Sequence, residues 1–414
     1  MIASLRASTD RKKLMCLGAG PFQTPAIRKA VASGYYVITV DYLPENVGHR
    51  FSHRFVNCST IDRDGVLSAA MRLGVDGIAT FASDIATPTL AYVTTELGLR
   101  GPNIAATETM TDKSRFRMFQ ERHGFRFPRF VVGESYHDVA PDLRKFPEPL
   151  VFKPIDSSGS RGISVVSGSK ASAHKNAFEH ARRHSRAGRV CVEQYVHGLE
   201  TGGDAFLVDG KIAFVAITNK HTDRCVVTGH NLPSNFPMSD QKVVAAVLEE
   251  HCEKLEYSNG PLNFDAIVTA EEVIVLEMSP RTGGNGIPAI IARSTGVDIE
   301  MATLRAAMEE PIQFPRQAEV FRGSGSLVFG SVQGGVLAGI ADEAQLSEEI
   351  PEVFEMYLAV QPGDRVLPFE HNGNLVGCVL FDCGSPKAYE EISQRILDAL
   401  HMCIEAPDVN YEET

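Results

Sequence analysis

The segment VFKPIDSSGSRGISVV, residues 151–166, delivers Lys153 at the end of an apolar run. Ser157, Ser158, Gly159, Ser160 and Gly162 follow before a second apolar run. Small residues leave backbone N–H groups free to wrap phosphate oxygens, and a lysine beside them is a compact counter-charge. The strand-loop-strand context excludes a P-loop, which needs GxxxxGK[ST] opening a helix. An ordinary surface hairpin with a salt-bridged lysine has the same local pattern. A second constellation is PLNFDAIV followed by EVIVLEMSPR. A three-residue turn, Ala270 to Glu272, predicts Asp265 directly opposite Glu277, with facing alpha carbons roughly 4.5 to 5.5 Å apart. The other face is expected to be apolar, Leu262, Phe264, Ala266 and Val268 against Ile274, Leu276 and Met278. Two opposed acids repel, a hard divalent cation relieves this, and oxygen ligands with phosphate select magnesium. A register slip of one residue would separate them. Arg281 follows, then Thr282-Gly283-Gly284-Asn285-Gly286-Ile287-Pro288 and an apolar helix. The guanidinium fork suits a phosphate or carboxylate, and the turn adds N–H donors. An exposed arginine before an irregular turn is the alternative.

These residues need elements to hold them. Residues 14 to about 100 alternate apolar runs (LMCLG, YVITVD, GIATFAS) with amphipathic stretches (TPAIRKAVASG, RDGVLSAAMRLG, TPTLAYVTTELG). The rhythm predicts an α/β lobe, a small parallel sheet covered by helices. Its first turn, Gly18-Ala19-Gly20-Pro21-Phe22-Gln23, approaches a dinucleotide fingerprint, but Gln23 stands where the third glycine belongs. A tight strand-to-helix turn in a substrate-contacting lobe is the preferred reading. Farther on, a helix is expected around Met110 to His123, strands at PRFVVG, EPLVFKP, ISVVS and VCVEQYV, and a charged helix from Lys170 to Arg186. Strands with intervening helices should fill 203–315. Gln313 to Gly325 looks like a boundary, and a strand-rich terminal lobe closed by a helix from Pro386 to Met402 should follow.

A length of 414 residues exceeds one ordinary core, so two to four lobes are expected. With 40 Lys plus Arg against 52 Asp plus Glu, the formal charge is -12, which offers no footprint for nucleic acid or an anionic membrane. The 8 cysteines are scattered without a CxxC pair and read as reduced, mostly buried thiols. The start, MIASLRASTDRKK, lacks a signal-peptide core and no segment approaches a membrane span, so a cytoplasmic location is expected.

Taken in order, Lys113, Lys153 with its Gly/Ser loop, Glu193-Gln194-Tyr195-Val196, Glu200, Asp265 and EMSPR resemble the ATP-grasp superfamily. The resemblance implies an ATP-grasp fold of α/β and α+β lobes: a Rossmann-like parallel-sheet lobe (1–110), a small lid region (111–198), a large magnesium-binding region (199–315) and a strand-rich C-terminal lobe (316–414). It implies ATP as cofactor, with Lys113, Lys153, Ser158, Gly159 and Ser160 at the phosphates. Glu193 and the backbone through Gln194, Tyr195 and Val196 would hold adenine, and Glu200 would lie by the ribose or phosphates. Two Mg2+ ions, replaceable by Mn2+, would sit on Asp265 and Glu277, with Ser279 where many members have an asparagine ligand. Arg281 would face the transferred phosphoryl group. The string RTGGNGIP lacks the glutamine, glutamate and histidine cluster of biotin carboxylases and looks like the L-amino-acid ligases. By that likeness His230, in a polar loop TGHNLPS, contacts substrate with Arg281, Gly283, Gly284 and Asn285. The implied function is ADP-forming ligation of a small-molecule carboxylate to an amine. Another ATP-grasp acyl-phosphate enzyme, of carboxylase or purine-pathway type, and a non-catalytic ATP sensor stay open, as does a homodimer, since related ligases are often dimers.

Overall fold

The computed structural model describes residues 11–168, 170–315 and 320–406. Residues 1–10 of the amino-terminal reading and 316–319 of the expected boundary lie outside these. Strands β1 (Lys13–Leu17), β2 (Tyr36–Asp41), β3 (Arg54–Asn57) and β4 (Gly77–Thr80) form a parallel sheet in the order β3-β2-β1-β4. Parallel strands need cover on both faces. Leu14 and Cys16 pack with helices Thr24–Ala32 and Ile299–Ala307, while Met15, Leu17, Ile38 and Val40 pack with helices Arg63–Leu73 and Thr87–Leu97. In the glycine turn after β1, the Ala19 N–H donates to Asp41 Oδ2 (3.0 Å) and Gln23 Nε2 donates to the Phe81 carbonyl (2.8 Å). Asp41 is therefore a turn-capping acid.

The single helix expected at Met110 to His123 is two, Ile104–Thr111 and Lys113–His123. Asp112 divides them. Its Oδ1 accepts the N–H groups of Ser114 (2.8 Å) and Arg115 (3.0 Å), which caps the second helix. The break puts Lys113 in the first turn of a new helix, at the wall of the central cavity.

Strands β5 (Phe130–Gly133), β6 (Leu150–Pro154), β7 (Ser164–Val166) and β8 (Val190–Gln194) form an antiparallel sheet ordered β5-β8-β6-β7. Strand alternation assigns its two faces. Leu150, Phe152, Val190 and Val192 pack on helices Tyr136–Leu143 and Ala171–Arg183. Val151, Lys153 and Glu193 turn to the cavity.

The largest sheet joins β9 (Leu199–Val208), β10 (Lys211–Asp223), β11 (Val226–Leu232), β12 (Gly260–Val268), β13 (Val273–Ser279) and β14 (Ser324–Phe329) with two later strands. After β15 (Gly335–Gly339) come β16 (Val353–Leu358), β17 (Arg365–Val366), β18 (Gly377–Asp382) and β19 (Cys403–Glu405). The order is β13-β12-β9-β10-β11-β14-β18-β16, while β15, β17 and β19 form a separate small sheet. Strands from both sides of residue 316 thus share one sheet. Helix Met238–Lys254 covers one face through Val244, Leu248 and Cys252.

Asp265 pairs with Glu277 in the β12–β13 hairpin. The loop is not three residues, however. Val268 pairs with Val273, which makes it four, and a bulge after Asp265 steps the register to Ala266–Val275. Leu276 is the extra residue, so the bulge offsets the longer loop and restores the acid pair. It also corrects the expected core face: Val273, Val275 and Met278 pack with Leu262, Phe264 and Ala266, whereas Ile274 pairs with Ile267 and Leu276 lines the cavity.

Candidate active site

A cavity of about 620 Å³ is lined by the middle sheet, the large sheet, the end of the parallel-sheet lobe and the segment Asn372 to Leu375. Its walls bring together Lys113, Lys153, Ser158, Gly159, Ser160, Glu193, Gln194, Tyr195, Val196, Glu200, His230, Asp265, Glu277, Ser279, Arg281, Gly284 and Asn285. Residues scattered over the chain therefore face one space.

Four cations of this wall each meet a carboxylate. Lys113 Nζ lies 3.2 Å from Glu277, Lys153 Nζ 2.6 Å from Glu193, Lys220 Nζ 3.0 Å from Asp265 and Arg281 Nη2 2.7 Å from Asp84. Burial would raise Glu277, but Lys113 and Lys153 outweigh it and hold the carboxyl at about 2. Burial likewise works against the ammonium forms of Lys113 and Lys220, yet their partner carboxylates raise both above the usual lysine range. The resemblance assigned Glu193 to adenine, but its carboxylate is engaged by Lys153 and by Arg117 Nε (2.9 Å), a fully buried pair. Of the stretch through Val196, the Gln194 and Tyr195 N–H groups donate to the carbonyls of Arg129 (2.9 Å) and Pro149 (3.0 Å).

The Gly/Ser loop is held at its start and at its middle. Lys113 Nζ donates to the Ser157 carbonyl (2.8 Å), and the Asn372 N–H donates to the Gly159 carbonyl (3.0 Å). Gly159 (φ 64°) and Ser160 (φ 62°) turn the chain through the left-handed region between them.

Arg281 is fixed by Asp84 Oδ1 on Nε (2.8 Å) and by Asn263 Oδ1 (2.8 Å) and the Thr282 carbonyl (2.9 Å) on Nη1. The following turn is anchored from beneath, where the Gly283 N–H donates to both Asp204 oxygens (2.8 and 2.9 Å). Gly283, expected at the substrate, instead spends its N–H on the protein. A Cβ there would stand 2.8 Å from Ile287 Cδ1 and 3.0 Å from Asp204 Oδ1, so a larger residue would have to push Ile287 aside and crowd the acid that anchors the turn.

Complete burial pushes Asp204 up to about 6, against the lowering bonds from Gly283 and Asn263. A carboxyl raised on folding adds stability below its ordinary range and loses that contribution as pH rises through its folded value. The melting temperature of Asp204→Asn relative to wild type should therefore climb between about pH 4 and pH 6 and then level off, since only wild type loses this contribution. A difference that stays flat across that interval in thermal melts would refute the assignment.

His230 is not in a polar loop. It lies in β11, is 3% exposed, and places Nδ1 2.9 Å from Thr218 Oγ1. Burial, with Lys220 nearby, lowers it to about 3. The ring is neutral at ordinary pH and can offer the cavity a hydrogen bond but no charge.

Sequence reading missed Lys220, Asp84, Asn263, Asp204 as an anchor, and Arg117. Asn263 pairs with Ser279, so the carboxamide absent from position 279 stands directly across the hairpin, and alternation from Asp265 could have found it. Ser279 Oγ is buried and has no hydrogen-bond partner. Among the described residues no group of three His, Cys, Asp or Glu side chains converges. Two opposed carboxylates with an unpartnered hydroxyl are hard oxygen donors, and magnesium is commonly held by one or two carboxylates plus substrate phosphates, so the set fits that ion.

A family profile described as ATP-grasp domain matches residues 146–289. Over 298 residues the chain is 26% identical to the formate-dependent phosphoribosylglycinamide formyltransferase of Pasteurella multocida (strain Pm70), spanning 68% of this chain and 72% of that protein. The L-amino acid ligase from Bacillus licheniformis superposes with a TM-score of 0.81 at 20% identity, over 95% of this chain and 99% of that one. Phosphoribosylglycinamide synthetase from Anaerococcus prevotii gives 0.73 at 18% identity, over 96% and 100%. Among the described residues no helix is long and apolar enough to cross a membrane. Residues 146–289 are thus an ATP-grasp domain, within a chain that shares the fold of these solved structures.

Proposed function

We propose that this ATP-grasp ligase joins a carboxylate to an amine through an acyl phosphate, releasing ADP and phosphate, with L-amino acids or small amino-acid-like acids as substrates. The observation that carries the reading is one cavity in which Lys113 meets Glu277, Lys220 meets Asp265, and Lys153 and Arg281 line the same walls. In this reading Lys113 and Lys153, with Ser158, Gly159 and Ser160, hold the phosphates. The edge from Gln194 to Val196 and Glu200 receive the nucleoside, and Asp265, Glu277 and Ser279 hold the metal. When bound, magnesium screens the charge that develops on the transferred phosphoryl oxygens. The substrate carboxylate attacks the terminal phosphorus while Arg281 steadies the same oxygens. Attack by the amine on the acyl carbon then expels phosphate, and the cavity walls limit competing hydrolysis.

The likeness to the Pasteurella protein favours a second reading, with formate and a phosphoribosylated amine as substrates. Arg63 and Arg115, which share Glu108 at the cavity wall, would suit such a phosphate. One experiment separates these. The purified chain is given ATP and magnesium with either pooled L-amino acids or formate plus phosphoribosylglycinamide, and ADP release is followed with mass spectrometry of products. Amino-acid-dependent ADP and a condensed product are expected. ADP only with formate would select the second reading, AMP with pyrophosphate would contradict an acyl phosphate, and ATP binding without turnover on any mixture would leave a sensor.

A further inference from the structure

We infer that Lys220 is an internal counter-cation that occupies Asp265 until a nucleotide arrives with its own metal, and that it then becomes a further ligand of the phosphates. The inference rests on the reading of Asp265 and Glu277 as magnesium carboxylates. Lys220 lies on β10 and Asp265 on β12, with β9 between them in the sheet. The lysine nevertheless reaches Asp265 Oδ1 at 3.0 Å, with only 11% of its side chain exposed. On the intervening strand the partner of Asp265 is Gly202. A Cβ at position 202 would stand 2.7 Å from Asp265 Oδ1, in the space beside that oxygen.

The other central cations are also matched, Lys113 by Glu277, Lys153 by Glu193 and Arg281 by Asp84. A bare divalent cation entering at Asp265 would meet the Lys220 and Lys113 ammoniums. A bare polyphosphate would meet the carboxylates. When the two enter together, the metal would take Asp265 and Glu277 and the phosphates the displaced lysines, so each carboxylate and each lysine exchanges one partner of opposite charge for another. Nucleotide and metal must then bind with positive coupling, each strengthening the other by the same factor.

Titration of the full chain with Mn2+, reading free ion by electron paramagnetic resonance with and without the non-hydrolysable analogue AMP-PNP, measures that coupling. Lys220→Met should tighten Mn2+ binding without nucleotide by roughly tenfold and weaken binding of the analogue by a similar factor, within the usual range of coupling between sites. Lys220→Arg keeps the charge and should retain the weak nucleotide-free binding of wild type. Melting curves establish that each variant is folded. A folded Lys220→Met chain that binds Mn2+ no more tightly than wild type overturns the counter-cation role. Asp265→Asn distinguishes the two levels: if it binds Mn2+ as wild type does, the metal-site reading itself fails. If it loses Mn2+ while Lys220→Met changes nothing, the site stands and Lys220 alone is refuted.

Discussion

Replacing Arg281 by lysine should lower turnover by roughly 100- to 1000-fold, the range seen when one preorganised transition-state donor is lost, while ATP affinity stays within a few-fold of wild type. Arginine has five N–H donors in a rigid fork. Three donate hydrogen bonds within the protein, Nε to Asp84 and Nη1 to Asn263 and the Thr282 carbonyl, and Nη2 lies 2.7 Å from the same Asp84 oxygen. The outer edge of Nη2 and the delocalised charge are left for the cavity, and their direction is fixed by these contacts. A lysine ammonium cannot hold Asp84 from the parallel-sheet lobe, Asn263 from β12 and a phosphoryl oxygen in one geometry. ADP release under saturating ATP gives turnover, and the ATP dependence gives the Michaelis constant. A folded Arg281→Lys enzyme within threefold of wild-type turnover would remove Arg281 from the chemistry.

Glu277→Gln should raise the magnesium concentration for half-maximal activity by roughly 100-fold, because an amide keeps the shape but not the charge that a hard cation requires. It would also leave Lys113 with the Ser157 carbonyl as its close partner in place of a carboxylate. The pH profile provides a control. With its carboxyl held at about 2, Glu277 stays ionised until strongly acid pH, and its contribution fades only as pH falls toward that value. Any loss of activity between about pH 7 and 5 in wild type should therefore persist unchanged in the variant. Unaltered magnesium dependence in a variant with wild-type melting behaviour would exclude Glu277 as a metal ligand.

How much of this site could be read in advance depended on how locally each residue is specified. Asp265 and Glu277 were legible because two alternating strands and a short loop fix their pairing, and the bulge escaped notice because a single extra apolar residue leaves the composition unchanged. The parallel lobe was legible for the same reason, through apolar runs punctuated by glycine. Arg117 was not: in KSRFRMFQERH it looks like part of a solvated helix face, yet it is fully buried against Glu193 and the Leu276 carbonyl. Lys220 sits among polar residues near a strand end, where a lysine normally signals solvent. Asp84 meets Arg281 across 197 positions, a separation over which no local pattern carries information. His230 was misplaced because TGHNLPS has loop-like composition, whereas pairing with β10 and β14 makes it a buried strand.

The continuous large sheet has a practical meaning for anyone dissecting this chain. Strand β11, which carries His230, uses β14 as its outer neighbour through the pairs Gly229–Leu327 to Leu232–Ser324. A fragment trimmed to the matched domain would strip that neighbour away and bare a row of backbone donors and acceptors. Such a row is a template for indiscriminate strand addition between molecules. The carboxyl-terminal strands thus cover an edge that the matched domain alone would bare, and they belong in any expression fragment meant to stay monodisperse.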